Sequence, residues 1–166
     1  MNRIGTAALL GTGLLLGGCA VEQARLPEAA SVARFYLEIG PGETGTPVAL
    51  PVSGVALAVE PAPVLIESDL AAVSRARVDL GECLAVRFRP AAAADLLRLS
   101  TAARNRRLVL VVDGAPLGAR RLDATLATGE LLMFVEVPST ELPVLVRRLQ
   151  SGIARLKKPA SVPVRA

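Results

Sequence analysis

Arg106-Arg107-Leu108-Val109-Leu110-Val111-Val112-Asp113-Gly114-Ala115-Pro116-Leu117-Gly118-Ala119-Arg120-Arg121-Leu122 is the stretch on which the fold turns. Leu108 to Val112 is apolar at every position, which predicts a central strand covered on at least one side. Asp113-Gly114 is a dipeptide favoured where both residues of a tight turn take positive φ, so it predicts a hairpin. Residues 116–122 then return alongside 108–112. Closing that hairpin brings its far ends together, with Arg106 and Arg107 beside Arg120 and Arg121 and Arg104 near. Such a cluster of like charges repels itself. Either acids of the chain neutralise it, Glu130 and Glu136 being the candidates, or an external anion does. These arginines are the candidate binding patch.

Outward from the hairpin the pattern stays readable. Leu84, Val86 and Phe88 alternate with Cys83, Ala85, Arg87 and Arg89, the period of a half-buried strand. That parity puts Cys83 with the arginines, away from the apolar face. If its face is open, the thiol is accessible and its neighbours favour thiolate, which makes Cys83 a candidate reactive thiol. The alternative is a small residue covered by a loop. Pro90 suits the start of a helix over 91–103, with Ala92, Leu96, Leu99 and Ala103 on one side. Segments 35–39, 55–59, 64–66 and 131–137 read as strands, and 40–45 as a loop by its Gly/Pro density. Ser68 reads as the N-cap of a short helix over 69–74, with 76–80 extended after it. A last helix, capped by Ser139 or Thr140, carries Leu142, Leu145, Leu149, Ile153 and Leu156 as an apolar stripe. Strands and helices mix without strict alternation. The fold class expected is α+β, a mostly antiparallel sheet with two to three helices packed on one face.

The inventory of side chains argues against an enzyme. Histidine is absent from the 166 residues, so Ser-His and Cys-His arrangements within one chain are excluded. The only lysines are Lys157 and Lys158, near the end. With no histidine and one free cysteine the usual zinc sets are missing too. Glu67 and Asp69 read as a cap and a solvated turn rather than a catalytic pair. No cofactor, metal or small-molecule substrate is expected. The aromatics, Phe35, Tyr36, Phe88 and Phe134, are too few to make a stacking platform for nucleic acid. Residues 147–166 hold Arg147, Arg148, Arg155, Lys157, Lys158 and Arg165 with no acid, which suits an anionic membrane surface or simply a soluble, frayed end.

The N-terminus has the layout of a bacterial secretory signal: Arg3, an apolar run over 4–16, then small residues. That run is shorter than the about 20 residues a membrane-spanning helix needs. Leu16-Gly17-Gly18-Cys19 resembles the lipobox of bacterial lipoproteins. The resemblance implies cleavage before Cys19, a diacylglycerol on its thiol and an acylated (palmitate-type) amino group. Several chains on one residue would hold the protein to a membrane stably. Ala20, where an aspartate would imply inner-membrane retention, leans toward the outer membrane. The expected organisation is a signal peptide over 1–18, lipidated Cys19 and tether over 19–33, one domain over 34–157 and a basic tail over 158–166. Cys83 then stands without a disulfide partner.

The segment from Phe35 to about Leu149 resembles the head subdomain of the large periplasmic region of the SecD and fused SecDF protein-export subunits. Val64-Leu65-Ile66-Glu67-Ser68-Asp69-Leu70, Val86-Arg87-Phe88 and a helix ending near Thr101 carry the likeness. Above all, Arg106 to Gly114 followed by Leu117-Gly118-Ala119 matches the family's arginine, apolar strand, Asp-Gly turn and return strand. Gly129, the strand to Val137 and the final helix continue it. Two positions depart: Asn105 stands where glycine is usual, and Arg120 where proline is usual. SecD-like work implies proton-gradient coupling through a membrane domain, and no such spanning segment is read here. The resemblance therefore implies a SecD-head-like fold and a role in contacting polypeptides. The expected function is a lipid-anchored module on the periplasmic side of the envelope, binding or scaffolding exported polypeptides or an envelope protein. The alternative is a structural surface lipoprotein whose basic tail binds anionic membrane.

Overall fold

The computed structural model describes residues 29–40 and 42–157; the expected signal peptide, Cys19, most of the tether and the basic tail lie outside the described residues. In chain order the elements are β1 (Ala33–Leu37), β2 (Thr46–Ala49), β3 (Ala56–Val59), β4 (Leu65–Ile66), a 3-10 turn (Glu67–Asp69), β5 (Leu70–Val78), β6 (Gly81–Phe88), α1 (Pro90–Ala102), β7 (Arg107–Val112), β8 (Ala115–Arg121), β9 (Glu130–Met133) and α2 (Leu142–Lys157). The expected hairpin is there. Val112 pairs with Ala115 across a two-residue turn. Asp113 and Gly114 take φ of 51° and 86°, the left-handed values that this turn demands.

β7 is central, as its unbroken apolar run requires. It lies between β1 and β8 in a sheet of order β4-β1-β7-β8, antiparallel throughout. One face of β7, Leu108, Leu110 and Val112, joins Phe35 and Leu37 of β1 in the main core. α1 adds Ala92 and Leu96 to that core, and α2 adds Leu142, Leu145, Val146, Leu149 and Ile153. Burying such a leucine or isoleucine stabilises by about 1.5–3 kcal/mol, so the α2 stripe is a main tie between helix and sheet. The second sheet, β5-β6-β9, contributes Val73, Leu84, Val86, Leu131 and Met133 to the same core. Phe35 and Phe88 meet edge to face at 5.4 Å between ring centres, joining the two sheets. Val109 on the other face of β7 packs with Leu57 and Val59 of the β2–β3 hairpin in a smaller core. The class is α+β with antiparallel sheets and two α-helices on one side, as expected; the hairpin is an added layer behind.

Several expectations are corrected. Residues 69–74 are not a helix: the 3-10 turn ends at Asp69 and β5 begins at Leu70. The β5–β6 register slips between Leu70 and Ala72. That bulge lets Leu70 and Val73, three positions apart, both reach the core, which mimics helical spacing. Asp69, not Ser68, supplies the capping oxygen, accepting from the Ile66 N–H at 2.9 Å. β2 was not anticipated; it is exposed and contains Pro47. β9 ends at Met133 rather than 137. The chain then crosses over β8, where the Glu136 N–H donates to the Leu117 carbonyl at 2.6 Å. Gly118 permits that crossing, because a Cβ there would overlap the Phe134 carbonyl oxygen. Leu156, expected in the buried stripe, is half exposed. Ser31 and Val32, read as tether, belong to the body: the Ser31 N–H donates to Arg148 O at 3.2 Å, and the Val32 N–H donates to the Asp113 carboxylate at 2.8 Å.

Candidate functional site

The β7–β8 register sets Arg107 opposite Arg121 and Leu108 opposite Arg120, so the hairpin does gather arginines at its open end. They do not form one repelling patch. Arg107 is held by Glu38, which receives its guanidinium on Oε1 at 3.0 Å and its backbone N–H on Oε2 at 2.8 Å. Arg106 donates from Nε to the Glu38 carbonyl and from Nη2 to Glu60 Oε1 at 3.0 Å. Glu43 stands 3.7 Å from the same guanidinium. Arg120 is half-buried and donates to the Leu132 carbonyl at 2.7 Å, tying β8 to β9. The neutralising acids are therefore Glu38, Glu43 and Glu60, not Glu130 or Glu136. Glu130 lies on β9 opposite Arg87. Glu136 accepts the Val52 and Ser53 N–H groups at 2.8 and 2.9 Å. Those bonds, with the Ser53 hydroxyl foremost, hold its carboxyl below the usual range.

Three arginines of the predicted patch have no acidic partner among the described residues: Arg104, Arg121 and Arg120, whose guanidinium goes to a carbonyl. Arg104 is exposed and gives one N–H to the Asp123 carbonyl at 3.1 Å. It stands on the connection between α1 and β7, where Arg104, Asn105 and Arg106 wall a groove of about 650 Å³. The other walls are Glu38 to Gly40, just past β1, and Ala56 to Ala58 of β3.

Cys83 is corrected. It does lie off the Leu84 face, but it is fully buried, and burial pushes its thiol pKa up while nearby Arg120 offsets part of that rise. A poised surface thiolate is not what the fold builds. Asp69 spends its carboxylate on the turn at Ile66, while the buried Glu67 Oε2 has no hydrogen-bond partner among the described residues. Sequence reasoning missed the groove altogether. It arises where β1 and β3 part, and no local motif marks that point.

No protein-family model matches the chain, and no curated protein matches it. Solved structures do. The chain is similar to a structure of SecDF, described as a membrane component that enhances protein export, at 18% identity and a TM-score of 0.58, covering 75% of this chain and 64% of that one. It is also similar to SecDF crystallised in a super-membrane-facing form, at 21% identity and a TM-score of 0.59, covering 75% of this chain and 19% of that one. The chain thus spans less than two thirds of either. At this identity the likeness is one of fold, and the SecD-head-like fold expected from the hairpin is the fold observed.

Proposed function

We propose that a SecD-head-like domain has here become a lipid-anchored binding or scaffolding module on the periplasmic side of the envelope, contacting exported polypeptides or an envelope protein. The observation that carries this reading is the fold likeness over 75% of the chain to SecDF, described as a membrane component that enhances protein export. No helix among the described residues is long and apolar enough to cross a membrane, so the reading assigns attachment to lipid on Cys19. The role is non-catalytic: the arginines are structural or surface-binding groups, and the chain contains no histidine to serve as a general base.

The second reading, a structural lipoprotein gripping anionic lipid, has support in the basic last turn of α2, Arg155 and Lys157. In-cell photocrosslinking separates the two readings. Probes belong at exposed positions: Arg121, Ala56 and Val144. Recovery of exported chains or of one envelope protein supports the binding module; recovery of lipid alone overturns it in favour of the second reading. Incorporation of labelled palmitate that is lost in Cys19→Ser tests the anchor separately.

A further inference from the structure

We infer that the outer edge of β3, at Ala56 and Ala58, is an acceptor for an extended polypeptide segment bearing a carboxylate, which pairs with the strand while Arg104 takes its charge. This names the site and ligand chemistry of the binding module, and so rests on that reading.

The bonding phase of the β2–β3 hairpin carries the argument. The Leu50 N–H donates to the Val55 carbonyl at 3.0 Å. With Ala49 opposite Ala56 and Val48 opposite Leu57, the groups of residues 55, 57 and 59 therefore face β2. Those of 56, 58 and 60 face the other way. The end of β1 and the residues just past it satisfy part of that row: Ile39 donates to the Ala58 carbonyl at 2.9 Å, and Glu60 donates to the Leu37 carbonyl at 2.8 Å. There β1 ends, because the chain turns away at Gly40, whose N–H donates to the Glu43 carboxylate at 2.7 Å. By that phase the N–H and C=O of Ala56 and the N–H of Ala58 face the groove, with no backbone partner among the described residues. Their side chains are methyl groups, so nothing shields the backbone from an incoming strand.

Three of the other edges are blunted. Pro47 sits on β2 at a position whose groups point outward, so it removes a donor from that edge. β5 is lined by α2, whose Gln150 and Lys157 side chains donate to the Val73 and Ala71 carbonyls. β8 is engaged by the chain after β9 through Leu117 and Glu136. At β3, open donors meet a groove and a cation with no acidic partner among the described residues. Charge complementarity fixes the occupant. Arg106 is spent on Glu60 and Glu43, whereas Arg104 keeps guanidinium N–H groups for a carboxylate. The segment would run antiparallel to β3, in the line β1 vacates, as in strand addition.

The test is fluorescence anisotropy on the full chain, using a labelled peptide of alternating Val and Thr with a central Asp. A second peptide carries Lys in place of Asp. Ala56→Pro removes the outward donor without breaking a ladder bond, and Arg104→Glu changes an exposed side chain at the loss of its one bond to the Asp123 carbonyl, so retained folding is checked by thermal melting. The Asp peptide is expected to bind, with affinity falling about tenfold or more in each variant and for the Lys peptide. Equal binding by both variants overturns the β3 site while leaving a binding module with its site elsewhere. Loss in Arg104→Glu alone overturns strand pairing. No binding of the peptide to the natural chain also overturns the site, whereas the module itself stands or falls by the crosslinking above.

Discussion

Asn105 takes φ of 68°, where a Cβ is costly and glycine is the usual answer. Asparagine is among the side chains that tolerate this region best, which explains how the turn forms without a glycine. The Asn105 N–H is fixed on the Leu122 carbonyl at 2.9 Å, so the peptide cannot rotate away. Asn105→Ala is expected to lower stability by about 1 kcal/mol in urea unfolding, and Asn105→Gly by less. Equal losses would assign the effect to the side chain instead. At Cys83 the buried, raised thiol predicts slow chemistry. In a Cys19→Ser chain, alkylation by a maleimide at neutral pH should be negligible until denaturant is added; rapid labelling of the native protein would contradict that burial. The arginines show where residue-level reading stops. Their meeting at the hairpin end follows from local register. Their partners do not: Glu38 and Glu60 arrive from sequence separations of 69 and 46.

Among the elements, legibility followed the agreement of local signals. β7 and β8 had an apolar run, a two-residue turn and a return strand that all pointed one way. At β5 the cap signals of Ser68 and Asp69 pointed to a helix, the bulge adds core residues at helical spacing, and only its pairing with β6 reveals a strand. β2 is short and mostly exposed, so it carried no apolar alternation to read. α2 was recognisable by its stripe, yet it hides a close approach. A Cβ on Gly152 would lie 2.5 Å from the Ser31 carbonyl oxygen. Alanine is ordinarily the better helix residue by about 0.5–1 kcal/mol. Here Gly152→Ala is expected to destabilise despite that preference, by about 1–3 kcal/mol, because the N-terminal segment must shift. A rise in melting temperature would show that this segment yields freely.

Across the whole molecule, the class and the helix-bearing face were legible, while the third layer and its groove were not, since both depend on where distant strands diverge. Glu136 stitches that layer down: it reaches from the crossing after β9 to the loop of the β2–β3 hairpin. Its folded pKa lies below that of a free glutamate, so its contribution is fully present above the unfolded-state pKa and lost as pH falls through the folded pKa. Glu136→Gln should therefore lose stability at neutral pH but converge with the natural chain in strong acid; parallel pH profiles would remove the linkage.

β1 enters the molecule past α2, clasped at Ser31 and Val32, and runs between β4 and β7 with five pairs to β7. A pull on the N-terminal segment along the strand therefore loads all those bonds together, in shear, instead of peeling them one by one. Attachment at this end would couple its force directly to the central sheet, so an anchor placed there would pull on a mechanically resistant strand.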